Sequence, residues 1–190
     1  MAQTRRKDTR ERIQRAALDL FLDRGYDQTS LREIAERLDV TKAALYYHFK
    51  SKEEIVTALV EESARPVEEL IAWARERPPT LETRRAIVRR LNEALTAGAP
   101  TFRFLHENQA ALRGMGGAER SQERMRSLGE LLTPPGADVR GQVRTMSALF
   151  AVYFGTFALE GLEGGAEEKR AALLEVAEGL LAAADGATSG

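Results

Sequence analysis

Apolar residues recur at helical spacing along almost the whole chain, and no alternating strand pattern interrupts them. Ile13, Ala16, Ala17, Leu20 and Phe21 share one face of a helix over roughly residues 9–24, and Gly25 suits the left-handed turn that stops it. Ser30-Leu31-Arg32-Glu33 has the spacing of a capping box, with Leu31, Ile34, Ala35 and Leu38 forming the apolar stripe of a short second helix. Asp39-Val40 makes a turn, and Thr41 caps a third helix ending near Lys50. A second capping box, Ser51-Lys52-Glu53-Glu54, starts a fourth helix, which is expected to break or restart at Pro66. Further helices are expected at about 67–77, 81–97, 101–113, 118–132, 138–163 and 167–184, separated by Pro- and Gly-rich punctuation such as Pro78-Pro79 and Gly164-Gly165. The fold class is therefore all-α.

The third helix differs from its neighbours at one position. Its third residue is Ala44, where the second and fourth helices carry a glutamate. A carboxylate there strengthens a cap but repels phosphate, so its omission suits a helix end that approaches DNA. Leu45 and Phe49 lie four apart and hold the helix to a core; Lys42 with Tyr46, and Ala43 with Tyr47, point away from it. Two adjacent tyrosines cannot both be buried on so short a helix, and their rings suit sugars and the thymine methyl. Ala43 and Ala44 are small enough to let the helix end close on base edges, with Lys42 as the long donor for guanine. Thr29, Ser30 and Thr41 sit at helix N-termini, where hydroxyls and N–H groups can clamp phosphate, and Lys52 adds a flanking charge. The module reads as a helix-turn-helix made for the major groove.

Residues 10–60, and above all Thr29-Ser30-Leu31-Arg32-Glu33-Ile34-Ala35 with Leu45-Tyr46-Tyr47-His48-Phe49-Lys50-Ser51-Lys52, resemble the DNA-binding domain of the TetR-like family of bacterial transcriptional regulators. The resemblance implies that Lys42, Ala43, Tyr46, Tyr47 and His48 stand at DNA-contact positions and Thr29, Thr41 and Lys52 at phosphate positions. The family often has glycine or a polar residue where Ala43 and Ala44 stand, which shifts specificity toward apolar contact and DNA shape. The expected division is a helix-turn-helix domain over 1–52 and a larger helical ligand-binding and dimerisation domain over 53–190. The implied function is that of a homodimeric repressor, released from a palindromic operator by a small, largely apolar effector.

Composition sharpens this in a few respects. The net charge is −1, yet residues 1–60 hold 12 Lys and Arg against 10 Asp and Glu, and four of the five lysines fall there. A basic end on a neutral body suits a modular regulator. Cysteine is absent and the only histidines are His48 and His106, which argues against disulfides and metal centres and fits a cytoplasmic setting. No apolar run is long enough to span a bilayer, so no membrane partner is expected. No cofactor is called for: there is no nucleophile beside a base, no paired carboxylates and no phosphate-binding loop, so an enzyme is not expected.

In the C-terminal part, the run Arg144–Leu162 is apolar nearly all round. Met146, Leu149, Phe150, Tyr153 and Phe157 make a bulky stripe, expected to face the interior; Ala148, Ala151, Gly155, Ala158 and Leu162 make a small-residue strip, expected to face a partner copy. With Leu173, Val176, Ala177, Leu180 and Leu181 of the last helix, this gives a homodimer through the last two helices. Trp73, Phe102, Phe150, Tyr153, Phe154 and Phe157 are candidates for an apolar effector pocket, with Gln109 as a buried amide that needs a partner.

Overall fold

The computed structural model describes residues 2–108, 118–159 and 161–186, with the side chains of 2–7, 118, 156 and 157 left aside. Among the described residues it is helical throughout: α1 (Ala2–Arg24), α2 (Leu31–Arg37), α3 (Lys42–His48), α4 (Lys52–Arg75), α5 (Leu81–Ala97), α6 (Ala99–Glu107), α7 (Ala118–Leu132), α8 (Val139–Ala158) and α9 (Ala166–Gly186). No described helix is long and apolar enough to cross a membrane.

The chain forms two compact units, one of α1, α2, α3, the start of α4 up to Ser63, and α6; the other of the rest of α4 with α5, α7, α8 and α9. The first is built around Ile13, Ala17, Phe21, Ile34, Leu45, Phe49 and Ile55, all within 1% of full burial. Phe104 joins this core from far along the chain, stacked on Phe21 with centroids 5.1 Å apart and completely buried. Gly25 stops α1 at φ 89°, as its position implies. The turn between α2 and α3 rests on Asp39, held at φ 54°, a left-handed conformation that aspartate tolerates better than most residues.

The expected break at Pro66 is absent: α4 runs from Lys52 through the proline to Arg75. Its buried stripe (Val56, Leu59, Val67, Leu70, Ile71, Ala74) keeps helical phase on both sides, and that burial outweighs one lost backbone bond. No separate helix over 67–77 exists.

In the second unit, α5 buries Ile87, Val88, Leu91 and Leu95, and α8 packs most extensively on α9. The orientation of α8 departs in part from the expected one: Leu149 of the bulky stripe is buried and Ala158 and Leu162 of the small strip are exposed as expected, but other positions exchange sides. Ala148, Leu149, Val152 and Gly155 face inward, while Phe150 and Phe154 are 45% and 53% exposed. The cause is close approach: a methyl group at Gly155 would lie 2.6 Å from Leu173 Cδ2. Ala148 and Gly155 of the small strip are thus consumed inside the chain. The same holds for Leu173, Ala177 and Leu181, which are buried within the unit, leaving Val176 of that face exposed at 59%. Arg84, 1% exposed, ties α5 to α9 by pairing with Asp185 and donating to the Pro79 carbonyl at 2.6 Å.

Candidate nucleic-acid interface

The third helix is set by its two ends. At the start, Thr41 Oγ1 accepts from the Ala44 N–H at 3.2 Å, which leaves the hydroxyl proton for an outside acceptor. At the other end the Phe49 N–H bonds the Leu45 carbonyl, and Arg10 of α1 donates to the His48 carbonyl at 3.1 Å while its guanidinium lies 4.2 Å over the Phe49 ring. Arg10 therefore closes the helix from outside, a role no local pattern in the sequence announces.

Between these ends the face is as expected. Lys42, Ala43 and Ala44 are exposed, Tyr47 is 62% exposed, and Leu45 and Phe49 are fully buried. The first turn of α3 holds no acid. Tyr46 is half-buried, with the Lys42 ammonium 5.5 Å from its ring; its carbonyl accepts from Lys50 Nζ at 2.6 Å. His48, also half-buried, meets the Tyr47 ring edge-on at 5.3 Å.

The flanking groups are placed differently from one another. Ser30 is exposed, and its hydroxyl belongs to the capping box: it accepts from the Glu33 N–H at 3.2 Å and donates to Glu33 Oε2 at 2.8 Å. That bond, with the one from the Ser30 N–H, holds the Glu33 carboxyl below its ordinary value. Thr29 is a correction. It is 2% exposed, and its hydroxyl donates to the carbonyls of Gly25 (2.9 Å) and Leu20 (3.4 Å), so it secures the turn after α1 and offers nothing to phosphate. Lys52 is folded back, donating to the Tyr26 carbonyl at 2.7 Å with its ammonium 4.3 Å over the Tyr26 ring. Tyr26 in turn donates to Glu53 at 3.0 Å; burial first, then Glu53, pushes the phenol up.

The described candidates for the pocket lie at three places along the chain. Trp73 is half-buried on the surface with the guanidinia of Arg77 and Arg90 at 4.2 and 4.0 Å from its ring. Phe102 is half-buried in the unit that also holds α1–α3. Phe150 and Phe154 lie on the exposed side of α8, 6.1 Å apart, and Tyr153 touches Phe154 edge-on. Gln109 and the side chain of Phe157 lie outside the described residues. A cleft of about 680 Å³ instead opens between α7 and α8, floored by Met125, Gly129 and Met146 and rimmed by Gln122, Gln142 and Thr133. The buried amide is Asn92 of α5, 1% exposed with neither amide atom hydrogen-bonded among the described residues; the Thr145 hydroxyl of α8 is in the same condition. No cluster of metal-ligating side chains occurs among the described residues.

Residues 13–59 match the family of bacterial regulatory proteins named tetR. This segment is TetR-like. Over 66 residues it is 44% identical to the A-factor receptor protein of Streptomyces griseus, covering 35% of this chain and 24% of that protein. Over 67 residues it is 40% identical to the HTH-type transcriptional repressor BepR of Brucella suis, covering 35% and 32%. The chain thus spans about a quarter of the length of the first of these relatives and about a third of the second. The whole fold is similar to that of the TetR family transcriptional regulator PfmR from Thermus thermophilus, at 23% identity and a TM-score of 0.63, covering 86% of this chain and 96% of that one.

Proposed function

We propose that this chain is a homodimeric transcriptional repressor that binds a palindromic operator through α3 and is released by a small, largely apolar effector. One observation carries the reading: α3 holds Leu45 and Phe49 in the core while presenting Lys42, Ala43, Ala44 and Tyr47 outward, with no acid in its first turn. A groove-facing helix end must be close-fitting and free of negative charge, and this one is both. Thr41 and the edges of Tyr46 and His48 complete the contact surface. The relative BepR is a transcriptional repressor, which supports a role in transcription.

Dimerisation is supported by a surface left over once each unit is packed. On α8, Val139, Val143, Phe150 and Phe154 follow one helical face and are exposed; on α9, Ala172, Val176, Gly179 and Ala183 do the same. Bulky and small apolar strips on neighbouring helices suit a symmetric four-helix interface. For the effector, the thioethers of Met125 and Met146 supply an adaptable apolar floor. Effector lowers DNA affinity only as far as it prefers a state that binds DNA less well.

Selection of bound sites from random duplexes should return an inverted repeat. On that duplex Lys42→Ala and Tyr47→Ala should abolish specific binding with helicity unchanged, and wild-type binding should fall steeply with salt. Recovery of no enriched sequence would leave a protein-interaction adaptor as the better account.

A further inference from the structure

Around α3 the long polar side chains are spent on the module's own backbone. Lys50 Nζ donates to the Tyr46 carbonyl at 2.6 Å, Lys52 Nζ to the Tyr26 carbonyl at 2.7 Å, and Arg10 to the His48 carbonyl at 3.1 Å. The Ser30 hydroxyl is held on Glu33 at 2.8 Å. Turning any of these donors to a base edge would give up a contact that sets the position of α3 or its neighbours. What the exposed side of the helix offers in their place is carbon. Ala43 and Ala44 are both exposed, and they lie four and three residues before Tyr47, which is 62% exposed. At that spacing the two methyls and the ring form one apolar strip beside Lys42.

A methyl side chain has neither donor nor acceptor, so it cannot tell base edges apart by hydrogen bonding. It discriminates by what it buries. In the major groove thymine alone of the four bases presents a methyl group, at C5; the other bases set polar atoms against the carbon. Methyl against methyl removes apolar surface from water, whereas methyl against an amino or carbonyl group leaves that group without a partner. We propose that Ala43 and Ala44 are specificity-determining residues that read thymine C5-methyl groups, so that each operator half-site is chosen chiefly by methyl burial. The inference rests on the regulator reading above and adds the chemistry by which the operator is selected.

The test uses the duplex recovered by selection, resynthesised with deoxyuridine at each thymine in turn and at all of them together. Uracil pairs as thymine does and lacks only the methyl. Affinity of the full chain is read by fluorescence anisotropy at fixed salt. Uracil at a contacted thymine should weaken binding about fourfold, the effect of exposing one methyl-sized group. In Ala43→Gly or Ala44→Gly the same substitution should cost nothing further. That penalty is a ratio taken within one variant, so any helix stability lost to glycine enters both duplexes and cancels. The proposal is overturned if the fully substituted duplex binds the parent protein within about twofold of the original, or if the uracil penalty persists undiminished in both variants. In either case the protein still selects its duplex, and the regulator reading stands. Failure to select any duplex removes that reading and this inference together.

Discussion

Ala44→Glu separates what stabilises α3 from what lets it meet DNA. Thr41 already caps the helix through the Ala44 N–H, and Ser30 with Glu33 shows what a glutamate at this position does, accepting from the cap residue's own N–H at 2.8 Å. A glutamate at 44 completes the same box on an exposed site. It contributes about 0.3–1 kcal/mol through the cap and the helix dipole, against a few tenths lost in helix propensity. Folding stability should therefore hold or rise slightly. Against DNA the sign reverses. At about 6 Å from a phosphate and an effective dielectric constant near 20, the added charge costs about 3 kcal/mol, roughly a hundredfold in affinity. Ala44→Gln makes the same cap without the charge and should bind nearly as the parent does. Fluorescence anisotropy on the selected duplex at fixed salt, beside thermal denaturation, reads both quantities. Parental affinity in Ala44→Glu would refute the placement of this helix end at the groove, and equal losses in Glu and Gln would refute the electrostatic cause.

Arg10→Met removes the bond to the His48 carbonyl and the cation over Phe49 and should cost about 1–2 kcal/mol in urea denaturation, with faster amide exchange at the end of α3. Phe154→Glu places a charge on the exposed α8 strip; sedimentation should shift from dimer to monomer while far-ultraviolet dichroism stays the same, and an unchanged dimer would exclude this face. The Glu53 carboxyl is held below its ordinary value, first by its backbone bond, then by Ser51, with Tyr26 adding to it. A depressed folded value means stability present above the unfolded value near 4.5 and lost as pH falls through the folded one, so Glu53→Gln should flatten the acid limb of a stability–pH curve. Asn92→Leu replaces a buried, unpaired amide by a group of similar size and should raise the melting temperature; a fall would mean that the amide holds a partner.

What was readable in the sequence is what local rules decide. Ser30 with Glu33, Thr41, and the apolar pair Leu45 and Phe49 each act within four residues, so spacing alone placed α2 and α3 and their outward face. Arg10 on Phe49 and Phe104 on Phe21 join residues many turns apart, and no periodicity marks them. Thr29 shows the same limit on a small scale. A hydroxyl next to a helix start serves phosphate or the preceding turn equally well by type, and only the carbonyls of Leu20 and Gly25 decide. At Pro66 a local rule was outvoted, because the stripe from Val56 to Ala74 stays in phase across it.

The exposure of Phe150 and Phe154 on α8 has a cause that bears on the proposed dimer. Amphipathic patterning tells which side of a helix is apolar, and when both sides are, it cannot say which neighbour takes which. Distance decides instead. Within the chain α8 is crossed by α9 closely enough that a side chain at Gly155 would press on Leu173, so the residue opposite Leu173 is a glycine. The aromatic residues Phe150 and Phe154 are then left outside, where a partner helix has no covalent constraint on its distance and can stand off far enough to accept a ring. The small outer strip of α9, Ala172, Gly179 and Ala183 around Val176, is the shape such rings fill. In the proposed dimer, large side chains on one helix and small ones on the next, repeated by a two-fold axis, would give a self-complementary surface from one sequence.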